Sequence, residues 1–206
     1  MVKMEQESVI DKKLVKKLMA MKGEARGMHL RNDADFVLKT KNQEGLRRLE
    51  AELRELGCPI NYQKIDGLGF YPIGLRAISL LAIKKVFGWD DQKIKELCGF
   101  AANISLIARL YMRFFHSVAK ISEQAPKMWR EYFSEGELVV RDYSEKEKYV
   151  FLEVRNFELH PVFCRCLEGY LKNLIKMIVV AREVESKEVK CTFKGQSSHQ
   201  FKITWK

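Results

Sequence analysis

The chain predicts an α+β fold, in which a helical N-terminal half packs on a C-terminal antiparallel sheet of about four strands with one crossing helix. Three observations carry that expectation. Apolar residues recur at three-to-four spacing from the N-terminus to about residue 134, the period of one helix face. From Gly136 onward the pattern turns to alternation and β-branched runs, the signature of strands. One apolar-periodic run opened by Pro161 interrupts those strands, and proline suits the first helical position because its missing N–H would be unbonded there anyway.

Taken in order, residues 5–22 form an amphipathic helix, with Val9, Leu14, Leu18 and Met21 on one stripe and lysines elsewhere. Gly23 and Gly27 end it, and residues 27–31 read as loop or short strand, with His29 a surface imidazole. Asn32 or Asp33 then caps a helix carrying Phe36, Val37 and Leu38. A second helix, from Glu44 to Leu56, turns Leu46, Leu49, Leu53 and Leu56 inward and stops at Gly57. Cys58 to Ile65 is extended, and Asp66 to Gly69 is a turn. Tyr71-Pro72 opens the next helix, which ends at Gly88, and Asp90 caps another that reaches about Ala101. The Gly67-x-Gly69 pair lacks a third glycine and a Walker lysine, which excludes a nucleotide loop.

From Ser105 to Ser122 apolar groups wrap most of the helix circumference, as expected of a centrally buried helix. Its polar strip carries Arg109, Arg113 and Lys120, with His116 at the edge beside Met112. Pro126 starts a short helix with Met128, Trp129, Tyr132 and Phe133. Strands follow at residues 136–143 and 148–154, a helix from Pro161 to Ile178, and a hairpin of residues 188–193 and 199–205 around Lys194-Gly-Gln-Ser-Ser198. Residues 1–30 are read as an N-terminal helix and linker. Residues 31–206 are read as a single α+β domain, helical over 31–134 and sheet-containing over 135–206.

The hairpin defines a candidate metal centre. With a five-residue loop, Cys191 stands opposite Phe201, and Val189, Cys191 and Phe193 share the buried face with His199, Phe201, Ile203 and Trp205. Cys191 and His199 are then diagonal neighbours roughly 7–8 Å apart at the backbone, within reach of one ion. On the preceding helix Cys164 points inward with Leu167, Leu171, Leu174 and Ile175, while Cys166 belongs to another face. Glu188, three residues from Cys191, faces the other way in a regular strand, unless a bulge intervenes or the strand starts after it.

Cys164-Arg-Cys-Leu-Glu-Gly169-Tyr170, with Glu188-x-x-Cys191-x3-Gly195-x3-His199, resembles the 4-vinyl-reductase (hydrocarbon-binding) domain family over roughly residues 100–206. That family shares a fold with haem nitric-oxide sensor domains and with a trafficking-complex subunit family. The resemblance implies a structural zinc held by Cys164, Glu188 and Cys191, with His199 where the family usually has a last cysteine. It also implies that His116 faces a bound aromatic molecule, and Met112, Phe115, Trp129 and Phe151 are the companion pocket residues. The haem-binding relatives carry a Tyr-x-Ser-x-Arg clamp, where this chain has Tyr143-Ser144-Glu145-Lys146. On that ground haem is not expected.

Composition narrows the rest. The 206 residues carry a net charge of +10, but the basic residues are scattered and no recognition motif accompanies them, so nucleic acid is not an expected partner. Five cysteines, an odd number, argue against a disulfide framework and for a reducing interior. No signal peptide and no membrane span are read, which makes the expected location cytoplasmic. No catalytic constellation is apparent, so enzyme activity is not expected. The expected function is a non-enzymatic sensor-type domain for a hydrophobic or aromatic small molecule, with a structural zinc site and a homodimeric state. The alternative is a dimeric protein-interaction adaptor resembling the trafficking subunits, without ligand.

Overall fold

A computed structural model describes residues 10–104 and 117–206. The pocket residues His116, Met112 and Phe115 therefore lie outside the described residues, as does most of the apolar segment that carries them. The fold is α+β as expected. Helices fill the N-terminal half, and a four-stranded antiparallel sheet with one crossing helix fills the C-terminal part.

The first helix, α1 (Lys12–Met19), is capped by Asp11, whose Oδ1 accepts the Leu14 N–H at 2.7 Å. A two-stranded ribbon of β1 (Glu24–Arg26) and β2 (Phe70–Pro72) flanks α2, which runs from Met28 to Glu55. The two helices expected around residues 33–56 are the halves of α2, broken at Asn42 (φ 55°), whose side chain accepts the Glu44 N–H. The start lies earlier than expected because Gly27, not Asn32 or Asp33, precedes the first turn. Asp33 is instead fully buried. Helix α3 (Gly74–Phe87) is the central one among the described residues, buried at every position from Arg76 to Ile83. It ends at Gly88, in the left-handed conformation that glycine adopts without strain.

Helix α4 (Asp91–Ile104) and helix α5 (Val118–Tyr132) follow. Pro126 lies inside α5 rather than at its start, because Ser117 caps it by accepting the Lys120 N–H. The sheet has the order β3-β4-β6-β5, from β3 (Glu137–Ser144), β4 (Tyr149–Arg155), β5 (Val184–Lys190) and β6 (His199–Trp205). Between β4 and β5 runs the crossing helix, α6 (Pro161–Lys176), which starts behind a His160 cap. On the inner face Val150, Leu152 and Val154 of β4 stand opposite Ile203, Phe201 and His199 of β6.

Helix α6 lies between the sheet and α4, and the crossing with α4 is close. A Cβ placed on Gly169 would come within 2.0 Å of the Lys95 carbonyl oxygen. Beside that crossing, Cys98 of α4 and Cys166 of α6 form a disulfide. This departs from the expectation of unpaired thiols, because an odd count says nothing of which two cysteines meet. Cys58, Cys164 and Cys191 are free and buried. No helix among the described residues is long and apolar enough to cross a membrane.

Candidate functional site

Cys164, Glu188, Cys191 and His199 come together between α6 and the β5–β6 ribbon. One donor atom from each lies within 4.8 Å of all the others. Cys164 is placed by the first turn of α6, behind the His160 cap that accepts the Val162 N–H. His199 is placed by the first residue of β6, and Cys191 by a tight turn that closes at Gly195 (φ 81°).

The route by which Glu188 arrives differs from the expected register. Strand β5 covers residues 184–190 rather than 188–193, and Glu188 rather than Cys191 stands opposite Phe201. A bulge between Glu188 and Lys190 displaces Val189 outward, where it is 45% exposed. The extra residue reverses the alternation. Glu188 and Cys191 thereby share the inner side, and Val189 and Phe193, expected to be buried, are exposed.

The distances suit a tetrahedral ion. Metal–sulfur bonds of about 2.3 Å and metal–nitrogen or –oxygen bonds of about 2.0–2.1 Å place tetrahedral vertices about 3.8 Å apart for sulfur–sulfur, 3.5 Å for sulfur–nitrogen and 3.4 Å for nitrogen–oxygen. Cys164 Sγ to Cys191 Sγ is 3.8 Å, Cys164 Sγ to His199 Nδ1 is 3.6 Å, and His199 Nδ1 to Glu188 Oε1 is 3.1 Å. Behind the donors, His199 Nε2 lies 2.9 Å from the Thr192 hydroxyl, which leaves Nδ1 to face the cluster. Arg165 pairs with Glu188, and Glu168 accepts the Glu188 N–H at 2.7 Å while pairing with Arg165 and Lys95. Partners of this kind orient metal ligands.

Burial, and then the Glu188 carboxylate, push the thiols of Cys164 and Cys191 above the usual range. For Glu188 burial acts upward, but hydrogen bonds from His199 and Cys164 and the Arg165 cation outweigh it and hold the carboxyl below the usual range. An added cation reverses the thiol direction, since bound sulfur is deprotonated.

An adjoining face of α6 borders a cavity of about 40 Å³, whose other walls come from α2, α3, α4, α5 and β3. Trp129, expected as a pocket residue, lines it, with its indole N–H donating to the Glu135 carbonyl at 2.8 Å. Phe151 does not. It sits on the other face of β4 beside Tyr149 and under Lys202, because Val150 and Leu152 take the inward positions.

The cavity's polar end was not read from the sequence. His29, expected at the surface, is 7% exposed and stacks on Phe133 with ring centroids 5.0 Å apart. Its Nε2 has no hydrogen-bond partner among the described residues. Burial, and then the Arg76 charge, hold its pKa well below the ordinary value, so the ring is neutral. Arg76 pairs with Asp33, and Ser79 bridges Asp33 to the Tyr62 hydroxyl at 2.7 and 2.8 Å. The signal missed in the sequence is the arginine inside the apolar run of α3, since a charge at such a position needs a buried partner.

No family model matches the chain, and no curated protein matches it. Solved structures do match in fold. An H-NOX protein from S. oneidensis in the Fe(II)NO state aligns with TM-score 0.64 and 13% identity over 88% of this chain and 99% of that one. The unliganded Fe(II) H-NOX protein from K. algicida aligns with TM-score 0.61 and 11% identity, over 88% and 96%. An Fe(II)CO H-NOX domain from Shewanella oneidensis gives 0.63 and 14%, over 88% and 98%. The expected kinship of fold with haem sensor domains is therefore present, while membership of the 4-vinyl-reductase family is not shown.

These neighbours correct the choice of cofactor. The expectation of zinc rests on the family resemblance, and the expectation against haem on a missing clamp motif. The solved domains with this fold are described with NO-ligated or unliganded Fe(II), and one with heme distortion, so the missing clamp does not exclude haem from a domain of this fold. The described residues offer one feature suited to iron, the neutral, unbonded imidazole of His29. They do not enclose enough space: about 40 Å³ is room for water-sized molecules, whereas pockets for drug-sized ligands hold roughly 300 Å³ or more. As described, these walls do not fit haem.

Proposed function

We propose that this chain is a non-enzymatic, ligand-binding sensor-type domain. The ligand occupies the space between α4, α5 and α6, which widens from its present volume of about 40 Å³ to admit it, and a divalent cation held by Cys164, Glu188, Cys191 and His199 braces α6 against the β5–β6 ribbon. The observation that carries this reading is the cavity itself: apolar walls around one buried imidazole whose Nε2 has no hydrogen-bond partner among the described residues. Such a site takes a small, mostly apolar molecule bearing a single polar atom, because the unmade hydrogen bond is the main polar gain available there. The cation ties α6 to the β5–β6 ribbon, so one cavity wall keeps its place when no ligand is bound.

The fold neighbours favour a second reading, in which haem occupies a widened form of the same space. Native mass spectrometry of the purified chain with optical spectroscopy separates the two. A small retained mass without a Soret band supports the first reading. A haem mass with a Soret band that is lost in His29→Ala supports the second. A bare chain that takes up neither an added small aromatic compound nor haem refutes both.

A further inference from the structure

Apart from the four-donor cluster, the chain brings a second pair of sulfurs into contact with a charged group. Cys98 and Cys166 line the cavity and are bonded to each other across the α4–α6 crossing. Arg76 Nη2 lies 3.4 Å from Cys98 Sγ and 3.5 Å from Cys166 Sγ. The guanidinium is 2% exposed. Its Nη1 serves Asp33 and the His29 carbonyl, and its Nε has no hydrogen-bond partner among the described residues. Nη2 is thus aimed at sulfur.

A disulfide is a weak acceptor, whereas a thiolate accepts strongly from a guanidinium. The surroundings therefore favour the reduced, anionic form of a sulfur at this place, although the bridge is formed. The guanidinium lowers the cost of a thiolate at Cys98, and the cavity that both sulfurs line gives a small reagent its approach.

We propose that Cys98 and Cys166 are a reversible dithiol–disulfide pair oxidised by hydrogen peroxide, with Cys98 the attacking thiolate, Cys166 the resolving thiol and Arg76 the group that positions and stabilises the attacking sulfur. The Cys98 thiolate attacks one peroxide oxygen and the O–O bond breaks. Cys98 becomes a sulfenic acid, and the departing hydroxide takes a proton to form water. The Cys166 thiol then attacks the Cys98 sulfur, the S–S bond forms, and the sulfenic hydroxyl leaves with the Cys166 proton as a second water. Two thiols lose two electrons and one peroxide gains them. A dithiol reductant reverses the change by exchange. The cavity favours small oxidants, since about 40 Å³ admits a peroxide-sized molecule directly, whereas larger thiol, disulfide or trapping reagents reach the pair only through slower local opening. Because α4 and α6 both wall the cavity, opening or closing the bridge changes the tie between two of its walls.

The test uses the full chain, reduced with dithiothreitol under native conditions and freed of reductant. It is exposed to equal concentrations of hydrogen peroxide or glutathione disulfide, quenched by alkylation and peptide-mapped. The expected result is a cross-linked Cys98–Cys166 peptide that forms at least about tenfold faster with peroxide. Arg76→Met slows the peroxide reaction about tenfold, the effect of one pKa unit on the thiolate fraction. Should that variant fail to fold, Cys166→Ser decides the matter, because it leaves a Cys98 sulfenic acid that dimedone captures. A bridge that resists dithiothreitol in the folded chain overturns the proposal. So does equal speed with the two oxidants, a wild-type rate in folded Arg76→Met, or no dimedone adduct on Cys98.

Discussion

The buried imidazole of His29 makes the stability of this protein depend on pH in a calculable way. In the unfolded chain the ring titrates near its ordinary value of about 6.5, and in the folded chain burial and then Arg76 hold its pKa well below that value. The depressed folded value means that acid favours the unfolded state. The contribution is complete above pH 6.5 and is lost as pH falls through the folded value. Within that window each pH unit removes about 1.4 kcal/mol, or about 3–5 °C of Tm for a chain of this size. The readout is the difference between wild type and His29→Gln, which cancels the contribution of every other group. Urea denaturation at half-unit steps from pH 8 to pH 5 is the assay. Wild type should lose stability more steeply than the variant below pH 6.5 and in parallel with it above. Parallel curves throughout would refute the account, since they would mean that His29 is protonated as readily in the folded chain as in the unfolded one.

Three further outcomes follow from the geometry. Gly169→Ala sets a methyl 2.0 Å from the Lys95 carbonyl oxygen and forces α4 and α6 apart, so thermal melts should report a loss of about 3 kcal/mol. Ser79→Ala leaves the buried Asp33 carboxylate and Tyr62 hydroxyl each short of a partner, which should cost about 1–3 kcal/mol in chemical denaturation. Cobalt(II) added to the metal-free chain should give a thiolate charge-transfer band at one equivalent and raise Tm. At a thousand times its Kd an ion stabilises by about 4 kcal/mol, or about 8–16 °C. Cys191→Ala should abolish the band, and binding should weaken below neutral pH, because the raised thiols must release protons to bind.

Much of the architecture was legible because periodicity survives in the chain: the leucine spacing of residues 46–56 and the alternation of β4 and β6 are visible locally. The hidden parts depend on long-range contacts. No local signal says that α2 begins at Met28 and carries His29 under Phe133, or that Cys98 meets Cys166. For the cluster, residue types and the three contributing segments could be read in advance, but the strand register could not. One bulged residue in β5 decides which side chains face inward, and nothing in Lys187-Glu-Val-Lys190 marks it. The haem question shows a different limit. The absence of one loop motif speaks against haem, whereas a solved domain with this fold is described with heme, so a local motif does not decide the cofactor.

The ligand-binding claim is tested most directly by calorimetric titration of the full chain with phenol and with toluene, beside Ala101→Leu, which adds bulk at a cavity-lining position. The account predicts saturable binding at one site per chain, tighter for phenol because its hydroxyl meets His29, and lost in an Ala101→Leu variant that melts like wild type. No saturable heat in wild type, or equal binding in the filled variant, would contradict it.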